Sequence, residues 1–176
     1  MSLDEIIHLT SFNQTWKDTY LSEKHILQPL FGEEIQIEHI GSTSVEGMIA
    51  KPVIDIMIGL KTLLVDHETE IRLKGLSYIG FGEAGVAGRF YYRKRQGNNI
   101  NLQVTIMNSQ LWNDNLIFRE YLRTHKTEAD KYSNMKLFIM NKGIDTLLKY
   151  SEQKSNLILE LMKNAREWSQ GRRDFV

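Results

Sequence analysis

Two apolar, strand-like runs joined through a glycine-serine pair limit what this chain can fold into more than any other feature. The first is Ile37-Glu38-His39-Ile40, running into Gly41-Ser42-Thr43-Ser44, and the second is Val53-Ile54-Asp55-Ile56-Met57-Ile58. Side chains alternate between the two faces of a strand. Ile54, Ile56 and Ile58 therefore share one face, and Asp55, Met57 and Gly59 share the other. The isoleucines take the buried face, so Asp55 is expected on an open face beside the turn. Gly41 lets the backbone bend sharply and approach a ligand closely. Ser42 and Thr43 then offer hydroxyls and backbone N–H groups, and a helix starting there would aim unpaired N–H groups at a phosphate. The plainer alternative is an ordinary strand-to-helix turn, with Asp55 capping a helix or pairing with Lys51 or an arginine.

The same periodicities organise the rest of the chain. They predict a helix over 13–30 that ends near Pro29 and Gly32, strands over 34–40 and 53–60, and a helix over 64–73. A strand over 77–82 enters a glycine-rich loop, and strands 89–95 and 100–106 form a hairpin through Gln96-Gly97-Asn98-Asn99. Helices follow over 112–124, 128–141 and 145–169, the middle one stopping near Gly143. In the last strand Ile100, Leu102, Val104 and Ile106 face one way, and Asn101, Gln103 and Thr105 the other. Arg89, Tyr91, Arg93 and Arg95 also share a face. They read either as a cationic wall for phosphates or as charges that keep an edge strand from pairing. Gly80-Phe81-Gly82-Glu83-Ala84-Gly85 has dinucleotide-loop spacing, but an aromatic strand follows it where that loop needs a helix. It reads as a hairpin or site-capping loop.

At 176 residues and 41% apolar content the chain supports one core and hence one domain, 1–176. Within it the core covers about 13–107 and the helical part about 110–169. Lys plus Arg and Asp plus Glu are both 22, so no broad nucleic-acid surface is expected and an anion must be met locally. Without cysteine there are no disulfides, thiolate zinc sites or cysteine nucleophiles. His8, His25, His67 and His125 lack paired ligand spacing, and a lone His39 reads as a hydrogen-bonded structural residue. The first residues lack signal-peptide character and no run reaches membrane-spanning length, so a cytoplasmic protein with no membrane partner is expected. Oligomeric state leaves no mark on the sequence.

The chain resembles the GrpB-like proteins, within the DNA polymerase beta type nucleotidyltransferase superfamily. The resemblance is carried by Ile37-Glu38-His39-Ile40-Gly41-Ser42-Thr43-Ser44-Val45, Ala50-Lys51-Pro52-Val53-Ile54-Asp55-Ile56-Met57, Gly82-Glu83-Ala84-Gly85-Val86-Ala87-Gly88-Arg89 and Phe118-Arg119-Glu120-Tyr121-Leu122-Arg123. It implies an α+β nucleotidyltransferase-like core, a small mixed sheet with helices on one face and a cleft on the other, completed by C-terminal helices. The superfamily pairs two carboxylates one residue apart with a third on a neighbouring strand, and these hold metal ions for in-line displacement. Here Met57 stands where the second carboxylate is expected. Asn101 and Gln103 stand where the third is sought, at positions that are histidines in many GrpB-like chains.

The resemblance thus implies a nucleotide or other phosphorylated small molecule as ligand. Gly41, Ser42 and Thr43 would lie at the phosphate with Lys51, Arg89, Arg93, Asn101 and Gln103 around it. A magnesium-dependent transferase would use Asp55 as metal ligand, with Glu38 completing the catalytic pair. The alternative is a non-catalytic ligand-binding or interaction module with a vestigial cleft.

Overall fold

The computed structural model describes residues 3–171. Five strands, β1 (Gln36–Ile40), β2 (Ile54–Leu60), β3 (Ile79–Gly80), β4 (Arg89–Lys94) and β5 (Ile100–Ile106), form one sheet in the order β1-β2-β5-β4-β3. β2 and β5 are parallel and every other pairing is antiparallel. This register aligns Ile40, Asp55, Asn101 and Arg93 in one cross-strand row, and Glu38, Met57, Gln103 and Tyr91 in the next.

Helices α1 (Thr15–Phe31) and α2 (His67–Gly75) cover one face. Trp16, Leu27 and Leu73 pack there on Ile37, Ile56, Ile58, Leu102 and Val104. Each such side chain contributes about 1.5–3 kcal/mol when fully buried, which fixes the inward face and leaves Asp55 on the other. Asp66 caps α2 by accepting the Thr69 N–H at 2.7 Å. α1 runs through Pro29 and ends where Gly32 takes φ 89°. α1 also carries Glu23, only 1% exposed, which accepts from the Tyr78 hydroxyl at 2.9 Å and the Lys94 ammonium at 2.8 Å.

The second face is divided, where the sequence pattern suggested it would be open throughout. α3 (Gln110–Thr124), its N-terminus capped by Ser109, lays Trp112 against Met57 and Ile40, and Met57 is fully buried. Gly59 permits this approach, since a Cβ there would lie 2.7 Å from the Trp112 ring. Asp55, one pleat back along β2, stays partly exposed beyond the cover. α4 (Lys126–Asn141) and α5 (Leu147–Gln170) pack with α3 around Tyr121, Leu122, Leu157 and Leu161. Val45 and Met48, from the β1–β2 connection, insert into this cluster.

The expected strand over 77–82 shrinks to Ile79–Gly80, because Ser77 takes φ 69° and Gly82 φ 58° at its ends. The 3–10 segment straps the sheet to the helices. It bridges Ile6 to Thr146 and Thr10 to Ala50, pairs Glu5 with Arg95, and receives the Arg93 guanidinium on the Leu3 carbonyl at 2.7 Å. No helix among the described residues is long and apolar enough to cross a membrane.

Candidate functional site

Gly41 and Asp55 meet as the strand pattern requires. Gly41 has φ 69°, a conformation side chains disfavour, and a Cβ there would stand 2.6 Å from Asp55 Oδ2. Only glycine satisfies both constraints. No helix begins at Ser42, however. Ser42–Ser44 forms a single 3-10 turn, Val45 is already extended and Gly47 has φ 79°, so there is no helix dipole for an anion. Ser44 closes the turn by donating its hydroxyl to the Gly41 carbonyl at 2.6 Å.

Amines supply the positive charge instead. Gly41, Ser42, Lys51 and Asp55 line a cavity of about 180 Å³ whose far wall is Phe118, Tyr132, Lys136, Tyr150 and Lys154 from the three C-terminal helices. Lys136 is 2% exposed. Its ammonium donates to Ser42 Oγ at 3.0 Å and to the Ile49 carbonyl, and lies 4.5 Å from the centre of the Tyr132 ring. The Lys154 ammonium sits 4.9 Å from the centre of the Tyr150 ring. Among the described residues neither Lys51 nor Lys154 donates a side-chain hydrogen bond to the protein.

Three amines thus face one carboxylate. Burial, reinforced by Lys154 and Lys51, lowers the Lys136 pKa to about 7. Burial likewise lowers Lys51 to about 8, with Asp55 and Glu5 opposing the shift and Lys154 and Arg95 adding to it. Lys154 is lowered by burial and partly restored by Asp55. Each depressed value reflects a cation that has lost water without gaining a full set of counter-charges.

On its other side Asp55 borders a second cavity of about 200 Å³, lined by Arg89, Tyr91, Asn101, Gln103 and Asn115. Asn101 Nδ2 donates to Asp55 Oδ1 at 2.7 Å, and Asn101 Oδ1 accepts from Arg95 at 2.8 Å. Arg89 donates to Gln103 Oε1 at 3.1 Å and holds the loop after β3 through the Glu83 and Ala84 carbonyls. Gly80–Gly85 is thus a turn-rich connection between antiparallel strands, tied through Arg89 to the second cavity but not lining it.

Of the remaining candidates, Thr43 lines the first cavity, while Arg93 and Glu38 line neither. Arg93 shares the sheet face but is 7% exposed, held by Tyr91 and the Leu3 carbonyl, and lines neither cavity. Glu38 is on the same face but pairs with Arg119 of α3 at 2.7 Å beside the covered Met57, and is not brought to Asp55 by either cavity. The Thr43 hydroxyl is engaged by His39 Nε2 at 3.0 Å. Burial first, then Arg123 and Arg119, drops the His39 pKa to about 4, so the ring is neutral.

Sequence reasoning missed Lys136 and Lys154. A signal was present: Lys136 is in phase with Ala129, Tyr132 and Ile139 on the buried stripe of α4, and Lys154 with Tyr150, Leu157 and Leu161 on that of α5. A lysine in phase with an apolar stripe is a cation turned toward the packed side of its helix.

The family model described as GrpB protein matches residues 6–164, and the chain belongs to the GrpB family. It is 33% identical over 170 residues to the UPF0157 protein YqkA of Bacillus subtilis, covering 94% of this chain and 49% of that protein, so it spans about half that relative's length. The crystal structure of conserved protein GrpB from Enterococcus faecalis matches with a TM-score of 0.80 at 27% identity, covering 92% of this chain and 99% of that one. The Cid1 poly(U) polymerase, solved with Mg 3'-dATP bound, matches at 0.49 and 9% identity over 74% of this chain and 42% of that one.

Proposed function

We propose that this protein binds a phosphorylated small molecule, a nucleotide or a related phosphate ester, in the cavity between the Gly41–Ser42 turn and the C-terminal helices. The observation that carries the reading is Lys154. Its ammonium has three N–H donors and no acceptor among the described protein groups, and it lines a cavity shared with Ser42, Lys51 and Lys136. A phosphate brings the acceptors and the negative charge that this set lacks. The cavity's volume suits phosphate groups, with the rest of the ligand reaching past Asp55 into the amide-lined space beyond.

Thermal unfolding with a panel of nucleotides and inorganic polyphosphates tests this. A ligand at a hundredfold its Kd stabilises by about 2.7 kcal/mol, a shift on the order of 5–10 °C for a chain of this size. Failure of every phosphorylated compound to move the melting temperature would contradict the reading.

A second reading, nucleotidyl transfer, draws support from the position of Asp55 between two cavities, one for a donor phosphate and one for an acceptor. It predicts turnover of a nucleoside triphosphate that Asp55→Asn abolishes while circular dichroism stays unchanged.

A further inference from the structure

The superfamily resemblance implies divalent metal at Asp55, and the residues around Asp55 do not fit one. Arg95 has only donors, and it donates to Asn101 Oδ1. The amide at position 101 can therefore point only its NH2 group at Asp55, and it does so at 2.7 Å. Arg95 is itself fixed, held by both carboxylate oxygens of Glu5 at 2.9 and 3.0 Å and donating to the Lys94 and Ile100 carbonyls at 2.9 Å. A wire of four side chains thus ends on Asp55 Oδ1 and presents an N–H where a cation would sit.

The neighbouring row offers no replacement. Met57 is a thioether sealed under Trp112, Gln103 Oε1 already accepts from Arg89, and Glu38 is paired with Arg119. Among the described residues no three His, Cys, Asp or Glu side chains gather as a metal-binding group. Magnesium wants an octahedral set of oxygens, and a divalent ion here would also face three amines.

Building on the phosphate-binding reading above, we infer that this cavity takes its anion without a divalent cation. Lys51, Lys136 and Lys154 supply the neutralising charge, and Asn101, held by Arg95 and Glu5, keeps metal off Asp55. Lys51 and Lys154 each bring up to three N–H donors and Lys136 the one not spent on Ser42 and Ile49, so the trio can meet a diphosphate directly. Asp55 Oδ2, turned toward Gly41, is left to accept from a ligand hydroxyl.

The test is calorimetric titration of inorganic pyrophosphate into the full chain, once in EDTA and once in magnesium chloride, with Mn²⁺ uptake followed separately by electron paramagnetic resonance. The expected result is pyrophosphate binding in EDTA that is no tighter in magnesium, at least tenfold weaker binding by Lys154→Gln in both buffers, and no Mn²⁺ held by the wild type. Asn101→Asp, which sets a second carboxylate beside Asp55, is expected to gain Mn²⁺.

Binding that appears only with magnesium, or wild-type Mn²⁺ uptake lost in Asp55→Asn, would overturn the inference and leave the phosphate reading standing. A folded Asn101→Asp that still ignores Mn²⁺ would overturn the role given to Asn101. No binding in either buffer would remove the phosphate reading, and this inference with it.

Discussion

The molecule draws lysines wholly or partly out of water in two ways. Lys94, on the α1 side of the sheet, meets Glu23 at 2.8 Å, and Glu23 is satisfied further by Tyr78. Lys51, Lys136 and Lys154, on the other side, converge on a cavity whose single carboxylate, Asp55, is already tied to Asn101. The first arrangement is electrostatically complete and joins α1 to β4. The second is deficient in negative charge and opens to a cavity. Taking a cation out of water without a matching counter-charge is costly, and under the proposed reading a phosphate ligand supplies the negative charge that these three lysines lack.

Breaking the paired side gives the largest expected effect. Glu23→Ala strands Lys94 and leaves the Tyr78 hydroxyl without its acceptor. Removing one partner of a buried pair costs about 3–5 kcal/mol. Urea unfolding measures this loss, while ligand affinity in the protein that remains folded is expected to hold.

Gly41→Ala strikes the unpaired side through its backbone. The new Cβ meets Asp55 Oδ2 at 2.6 Å in a residue already at φ 69°. A non-glycine residue held there costs about 1–3 kcal/mol, and the displaced Asp55 is expected to take pyrophosphate binding with it. Wild-type binding by Gly41→Ala would show that the close approach of turn and carboxylate does not matter.

Lys154→Met sharpens the contrast by changing stability and binding in opposite directions. It removes a poorly compensated charge while keeping length and apolar bulk, so the free protein is expected to gain on the order of 1 kcal/mol and to lose its response to pyrophosphate. Loss of stability together with loss of binding would mean that Lys154 is a structural cation like Lys94.

The contrast also predicts a pH dependence with two signs. The folded values of about 7 for Lys136 and about 8 for Lys51 lie below the ordinary 10.5, so between those limits the unfolded chain holds more protons. Stability of the free protein therefore rises with pH from near 7 toward 10. Affinity for an anion falls over the same range as the amines lose their charge. Paired measurements of melting temperature and pyrophosphate affinity at several pH values check both slopes, and parallel slopes would refute the account.

Much of this was legible in the sequence. Strict alternation fixed β5 at 100–106 to the residue and β2 to within one, and it put Asp55 beside Gly41. Turn chemistry at Gln96-Gly97-Asn98-Asn99 gave the hairpin. What stayed hidden depends on which helix docks where. Met57 has the strand parity of Asp55, yet it is sealed because α3 crosses that half of the face. The turn after Ser42 failed to become a helix because Val45 leaves for the helical cluster and Gly47 turns the chain. The contact between Ser42 and Lys136 spans 94 positions, a distance that no local pattern encodes. The four arginine-strand residues shared a face as expected, but the strap at Leu3 and Glu5 drew Arg93 and Arg95 toward itself, leaving Arg89 at the second cavity.

Titration of lysine side chains by nuclear magnetic resonance, with and without pyrophosphate, tests the central claim most directly. The account predicts that Lys136 titrates near 7 in the free protein and that pyrophosphate moves it upward by about one unit or more, as a nearby anion favours the charged form. Titration of Lys136 at its ordinary value, unmoved by pyrophosphate, would contradict it.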